Sequence, residues 1–315
     1  MSEFDLIKRH FTRATPGALL GVGDDCALLQ VAAGQVLAVS SDMLVAGTHF
    51  FADTDPYALG HKTLAVNVSD LAAMGATPRW ATLAISLPEV DEVWLERFSA
   101  GFFALAAEHG VELVGGDTTR GPLNLCVTIF GEVPSGQALR RGGAQAGDEV
   151  WVSGRLGDAA LALAHLQGKV ALSDAEYAAC APALHQPQPR VALGLALRGI
   201  ASSAIDVSDG LLADLGHILE CSQLGAELVL EAVPLSPTLR CFPQLANRCA
   251  LAGGDDYELC FTAPCSRHDE VLGVAERLAL PLTCIGRTVA GRGCVLQDAA
   301  GLTVHFEGYG YDHFQ

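Results

Sequence analysis

Positive charge is scarce in this sequence. Its 315 residues carry 19 Lys and Arg against 36 Asp and Glu, a formal net charge of −17. Such a balance argues against a nucleic-acid-binding face, because Lys and Arg are what hold a phosphate backbone. An anionic ligand would need cations to mediate its contact. Long apolar runs are missing too: none approaches the roughly 20 residues of a membrane helix. The opening Met-Ser-Glu-Phe-Asp-Leu-Ile-Lys-Arg-His has no apolar signal core. The ten cysteines include no Cys-x-x-Cys pair, and several stand inside apolar runs, as Cys126 and Cys260 do. They read as small core residues of a reducing, cytoplasmic compartment.

The familiar nucleotide signatures are also lacking. Gly168-Lys169-Val170 has neither the spacing nor the hydroxyl of a phosphate-binding loop, and Gly21-Val-Gly23 has no third glycine of a dinucleotide fingerprint. Protein-kinase motifs and a Gly-x-Ser-x-Gly elbow are absent. A nucleotide handled by this chain therefore implies a less common fold.

What the chain has instead is a recurring pairing of glycine with aspartate. It occurs at Gly21-Val-Gly-Asp24-Asp25, Gly115-Gly116-Asp117, Gly154–Asp158, Asp206-Val-Ser208-Asp209-Gly210 and Gly253-Gly254-Asp255-Asp256, with Ser40-Ser41-Asp42 after the first. One such turn is ordinary loop chemistry. Five point to carboxylates gathered around hard cations. Asp24 and Asp25 sit side by side at low cost only with a cation near them. Oxygen-only ligands favour magnesium, which usually brings phosphates with it.

Periodicity and turn residues divide the chain into two mixed halves, residues 1–137 (α/β) and 147–315 (α+β), around the Gly-rich stretch 135–147. The first half reads as a short amphipathic helix (3–13) and a buried strand (35–40) ending in Ser40-Ser41-Asp42. A helix follows from the Asp55-Pro56 cap to about Met74, stopped by Gly75. Next come strand 80–87, helix 88–109, and strand 111–114 feeding Gly115, with 123–133 as its antiparallel partner. The second half reads as strand 149–153, a helix to about Gln167, and helical segments over 172–200 broken at Pro187 and Pro189. Strand 203–207 then enters Ser208-Asp209-Gly210 and helix 211–221, and strand 257–261 follows the Gly253–Asp256 turn. Ser208 or Asp209 is the expected N-cap, and the N–H groups there are suited to a phosphate. Asn67 and Asp70 share one helical face amid Leu, Ala and Val, so Asp70 either caps a neighbouring loop or reaches a metal. Lys62, on the same helix, is a solvated residue or a phosphate contact. His49 and His313 carry no assignment on residue type alone.

The motifs in their order resemble one family. Gly21-Val-Gly-Asp-Asp-Cys-Ala, Ser41-Asp42-Met-Leu-Val, Ala65-Val-Asn-Val-Ser-Asp70-Leu-Ala-Ala-Met-Gly-Ala and Gly115-Gly-Asp-Thr-Thr-Arg-Gly run through the first half. Ile205-Asp-Val-Ser-Asp-Gly-Leu, Gly253-Gly-Asp-Asp-Tyr-Glu-Leu and the terminal Tyr311-Asp-His-Phe continue it. Over essentially the whole chain they resemble the thiamine-monophosphate kinases, relatives of aminoimidazole ribonucleotide synthetase, selenophosphate synthetase and the hydrogenase-maturation synthetases. The resemblance implies an N-terminal α/β domain whose sheet pairs with a second subunit's to form a barrel. It also implies a C-terminal α+β domain covering an ATP site. The implied reaction transfers the γ-phosphate of ATP to thiamine monophosphate, giving thiamine diphosphate.

Carried over by residue, the resemblance implies magnesium ligands at Asp25, Asp42, Asp70, Asp117, Asp206 and Asp209, with Ser40 and Ser41 adding oxygens. It implies ATP-phosphate contacts at Gly116, Asp117, Arg141 and Ser208, and contacts to thiamine monophosphate at His49, Asp255 and Tyr311. No covalent nucleophile is expected. Two departures stand out: Ser-Ser-Asp replaces the family's Ser-Thr-Asp, and Asp255 replaces a Glu. The shorter Asp255 leaves room for a bridging water. The sister synthetases fit less well. No Cys occurs in the first 25 residues, where selenophosphate synthetase needs one, and the chain ends in Phe314-Gln315 rather than the Cys of the hydrogenase-maturation relative. A non-catalytic magnesium–nucleotide sensor is the remaining alternative, and the complete carboxylate set weighs against it.

Overall fold

The structure, a computed structural model, describes residues 3–306 together with 308 and 310. Tyr311 and His313 lie outside the described residues. The chain forms two compact units, Met1–Leu71 with Ala76–Gly136, and Ala72–Gly75 with Gln137–Gln315.

In the first unit α1 (Glu3–Leu6) leads through a π-helical turn, Ile7–Phe11, to a long loop. Then come β1 (Gln35–Val45), α2 (Pro56–Ala73), β2 (Thr77–Leu87), α3 (Glu92–His109), β3 (Glu112–Arg120) and β4 (Asn124–Pro134). α2 begins and ends on the residues that the sequence marks, whereas α3 ends before Gly110 as expected but starts at Glu92, four residues after the expected 88. Asp55 Oδ1 accepts the Ala58 N–H at 3.0 Å, and Gly75 closes α2 in the left-handed region at φ 62°. Asp91 accepts the N–H groups of Val93 and Trp94, and Gly110 closes α3 at φ 67°. The helices approach closely at two glycines. A Cβ on Gly60 would stand 2.0 Å from Phe98 O, and one on Gly101 1.9 Å from Tyr57 O.

The sheet order is β1-β4-β2-β3, with β2 and β3 parallel and the other pairs antiparallel. One face supplies Leu44, Leu83, Ile85, Leu125, Val127 and Ile129 to the core. On β1 the opposite face is apolar and uncovered: Leu37, Val39 and Met43 are 43%, 55% and 52% exposed.

Three expectations are corrected here. The strand does not stop at Ser40-Ser41-Asp42. It continues to Val45, because β4 pairs with it residue for residue from Gln35↔Pro134 to Val45↔Asn124. β3 likewise runs on through Gly115-Gly116-Asp117. Its partner is β2, not β4, which lies between β1 and β2. Only glycine fits position 116, at φ 151° with a Cβ that would fall 1.9 Å from Leu83 O.

The second unit contains β5 (Glu149–Ser153), α4 (Asp158–Leu166), α5 (Asp174–His185), α6 (Val191–Leu197), β6 (Ser203–Asp206), α7 (Leu211–Ser222) and β7 (Gly225–Val229). It continues with α8 (Pro237–Arg240), α9 (Pro243–Ala252), β8 (Leu259–Ala263), α10 (His268–Leu278), β9 (Leu282–Val289), β10 (Gly293–Gln297) and β11 (Thr303–Val304). Its strands order as β11-β10-β7-β9-β5-β8-β6, antiparallel except for the β7–β10 pair. Trp151 and Phe261 stack across β5 and β8 inside the core. The Gly-rich stretch after Gly136 is hydrogen-bonded into this unit. Arg140 O accepts from Ala204, and the Gly147 N–H donates to Thr288 O.

The cysteines divide more widely than the core reading expects. Cys180, Cys249 and Cys260 are buried, whereas Cys26, Cys221, Cys241 and Cys265 are exposed, and all ten are unpaired thiols. Burial pushes the Cys180 and Cys249 thiols up to about 11, which keeps them protonated and inert at neutral pH. No helix among the described residues is long and apolar enough to cross a membrane.

Candidate active site

In the first unit the β1 side chains meet a polar stripe on α2. The Ser40 hydroxyl donates to Asp70 Oδ2 at 2.5 Å, and Asn67 Oδ1 accepts the Asp42 N–H at 3.0 Å. Asn67 is buried and donates in turn to Thr63 O. The pleat sends Ser41 to the other face. There its hydroxyl lies 3.1 Å from Val127 O and 3.0 Å from Thr128 Oγ1, apart from Ser40 and Asp42. Asp117 is exposed on β3, in register with Ala84. Three strand spacings separate β3 from β1, about 14 Å. One ion with ligand bonds of about 2.1 Å cannot take both Asp42 and Asp117. Asp25 lies in the exposed loop, its N–H donating to Asp24 Oδ1 at 2.9 Å. His49 Nδ1 accepts the Val45 N–H at 3.0 Å, so a neutral ring carries its proton on Nε2. Lys62 is only 4% exposed, which removes the solvated reading.

In the second unit two motifs that are distant in sequence interlock. The 206–210 turn and the 253–258 segment share three backbone bonds: Asp255 N–H to Ser208 O (2.9 Å), Tyr257 N–H to Val207 O (2.8 Å) and Val207 N–H to Glu258 O (2.8 Å). Contact is so close that a Cβ on Gly254 would lie 2.3 Å from Ser208 O. Asp255 and Tyr257 adopt left-handed φ values of 69° and 50°. Such conformations cost of order 1–3 kcal/mol each in a non-glycine residue, and the surrounding bonds must hold them. The Tyr257 hydroxyl donates to Asp255 Oδ1 at 3.1 Å, anchoring the carboxylate expected to meet substrate. Asp206 is buried at the end of β6, opposite Leu259, and Arg141 is exposed.

The expected N-cap of α7 is overturned. Gly210 occupies that position, and the N–H groups of Ser208, Asp209 and Gly210 all donate to Asp214 Oδ2, at 3.0, 3.0 and 3.1 Å. An internal carboxylate therefore fills the place proposed for a phosphate. Burial pushes the Asp214 carboxyl up to about 7, against the three N–H donors, which favour its anion.

Two other members of the glycine–aspartate series serve the scaffold. Asp256 takes the Gly157 N–H on both oxygens at 2.9 Å, ahead of α4, and Asp158 accepts the Ser236 hydroxyl at 2.5 Å. Burial raises both carboxyl groups, Asp256 well above the ordinary range. The folded state thus keeps these protons to higher pH than the unfolded chain does. Their stabilising contribution is complete below the unfolded value near 3.9 and is lost as pH rises through the raised native values. Asp256→Asn keeps an acceptor without the charge. It is expected to raise the melting temperature at pH 8, with the gain shrinking toward pH 4, as calorimetry across pH would show. Glu258, part of the Gly253–Leu259 motif but without a role assigned from the sequence, is buried between the Ser153 hydroxyl at 2.5 Å and the Arg190 guanidinium, whose Nε donates at 2.7 Å.

No group of three or more His, Cys, Asp or Glu side chains among the described residues is arranged as a metal cage. The donors are nevertheless those magnesium accepts. In the first unit the Ser40–Asp70 pair lies beside Asp42, and in the second Asp206, Ser208 and Asp209 share one turn, all offering oxygen. Magnesium typically keeps several waters and takes one or two carboxylates plus substrate phosphates, so a closed protein cage is not required.

Comparison with known proteins agrees with this architecture. Residues 23–133 match the family described as AIR synthase related protein, N-terminal domain, and residues 145–299 match its C-terminal domain. The two units thus define an AIR synthase related protein. Within that class, the thiamine-monophosphate kinase of Escherichia coli (strain K12) is 49% identical over 320 residues, covering 99% of this chain and 98% of the relative. The Salmonella typhimurium enzyme is 48% identical over 99% and 98%. The crystal structure of the Stenotrophomonas maltophilia K279a thiamine-monophosphate kinase superposes with a TM-score of 0.88 at 52% identity, covering 94% of this chain and 96% of that one. A structure described as AaThiL complexed with AMPPCP and TMP superposes at 0.79 with 31% identity, covering 99% and 96%. The chain belongs to the thiamine-monophosphate kinase family.

Proposed function

We infer that this protein is an ATP-dependent kinase that phosphorylates thiamine monophosphate to thiamine diphosphate. The observation that carries the reading is near-complete coverage at 49% identity to an enzyme of that activity, joined to the matching two-unit fold. Incubation with ATP and thiamine monophosphate, with products identified by mass, should give thiamine diphosphate and ADP in equal amounts. ATP hydrolysis without a thiamine product would refute the reading.

The finer assignment places magnesium at Asp25, Asp42, Asp70, Asp117, Asp206 and Asp209, with oxygens from Ser40 and Ser41. The roughly 14 Å between β1 and β3 supports more than one ion. Bound magnesium would neutralise the phosphates of donor and acceptor, which a chain of charge −17 cannot do alone. Gly116, Asp117, Arg141 and Ser208 are assigned to ATP phosphates, and His49, Asp255 and Tyr311 to thiamine monophosphate. For Ser208 the contact must run through the side chain, since its N–H is bound to Asp214. The uncovered Leu37, Val39 and Met43 face of β1 supports a homodimer built on this sheet, and sedimentation at the mass of a single chain would rule it out. The unpaired cysteines suit a cytoplasmic location, which fractionation of cells would test.

A further inference from the structure

Three consecutive amides converging on one oxygen form a concave N–H nest, a geometry that ordinarily selects an anion. In this protein the anion is built in. Asp214 sits in the first turn of α7, is 2% exposed, and receives the Ser208, Asp209 and Gly210 N–H groups on a single oxygen. A carboxylate at a helix N-terminus is also favoured by the aligned peptide dipoles. The opposite edge of the same turn is tied as well, with Val207 O and Ser208 O accepting from Tyr257 and Asp255. The backbone of the turn is therefore committed on its N–H side and its C=O side to partners within its own unit. Such commitment fixes the φ and ψ of residues 207–210, and with them the origins of the Asp206, Ser208 and Asp209 side chains.

We propose that Asp214 is a positioning residue: it holds the Asp206–Gly210 turn in the one conformation from which these side chains serve their ligands. The proposal rests on the reading of Asp206 and Asp209 as metal ligands and Ser208 as an ATP contact. Asp214 itself touches neither substrate. The nest accounts for why a helix start beside a phosphate site is not used to bind the phosphate: its amides hold the site's shape instead.

The test is calorimetric titration of the full-length protein with a non-hydrolysable ATP analogue over a range of magnesium concentrations. At pH 8, where the carboxylate form dominates, Asp214→Asn keeps an oxygen at the nest and removes the charge that strengthens all three bonds. It should melt close to the wild type while binding the analogue about 10-fold more weakly, as is typical of residues that orient metal ligands. Asp214→Ala should bind more weakly still. Unchanged analogue affinity in Asp214→Asn, whether or not its melting temperature falls, would overturn the proposal. Asp209→Asn separates this failure from that of the underlying assignment. If Asp209→Asn binds as the wild type does, the ligand assignment is at fault; if it weakens binding and Asp214→Asn does not, only the positioning role is lost. Hydrogen exchange on the unmodified protein needs no variant. The amides of residues 208–210 should be strongly protected, and exchange at the rate of an unstructured turn would equally overturn the proposal.

Discussion

Asp42→Asn and Asp209→Asn are each expected to lower turnover by at least about 100-fold, the usual loss when one preorganised electrostatic element is removed. Asn is nearly isosteric with Asp, so packing is not disturbed. In both cases the backbone around the changed residue is held independently of its side chain. The Asp42 N–H remains on Asn67, and the Asp209 N–H remains on Asp214. Melting temperatures near that of the wild type should accompany the loss. The physical reason is charge: an amide oxygen still coordinates a cation, but it no longer offsets the repulsion between donor and acceptor phosphates. Raising magnesium should recover part of the activity if affinity is what suffers. Near-normal turnover in both variants would remove these residues from the metal assignment.

The elements whose signals are local were legible in the sequence. Asp55-Pro56 and Gly75 bound α2, and Gly110 ends α3, because caps act within a few residues of the backbone they satisfy. The family was also legible, since its motifs lie in linear order. What was not legible depends on partners far along the chain. Ser40-Ser41-Asp42 reads as a strand end by composition, yet pairing with Ile129, Thr128 and Val127 carries β1 onward. That pairing sends Ser41 to the face away from Ser40 and Asp42, so a run of three polar residues is not one ligand group. Nothing in the sequence sets Asp214 apart from other polar residues of helix 211–221. Its role lies in three preceding amides that share one of its oxygens. The same limit applies to Lys62, whose burial no periodicity announced, and to Glu258, whose partners Ser153 and Arg190 lie 105 and 68 residues away.

Phosphoryl transfer is expected to run directly from ATP to thiamine monophosphate, with no phosphoenzyme. A covalent route needs a nucleophile with an activating neighbour. His49 is the histidine assigned to the substrate, and its Nδ1 lone pair is engaged by the Val45 N–H. A neutral His49 carries its proton on Nε2, so neither ring nitrogen presents a lone pair to phosphorus. The aspartates are poor alternatives. Asp70 accepts from Ser40 and Asp255 from Tyr257, and a carboxylate shared with a metal is a weak nucleophile. The acceptor needs no general base, because a phosphate monoester oxygen is already ionised near neutral pH. Positioning and charge neutralisation then suffice for catalysis. Both substrates must be bound before ADP leaves, which predicts intersecting initial-velocity lines. Labelled ADP should not exchange into ATP unless thiamine monophosphate is present, and a chiral γ-phosphate should be transferred with inversion. Ping-pong kinetics, exchange without the acceptor, or retention of configuration would each establish a covalent intermediate, and His49→Ala would then be the first variant to examine for loss of the trapped phosphoenzyme.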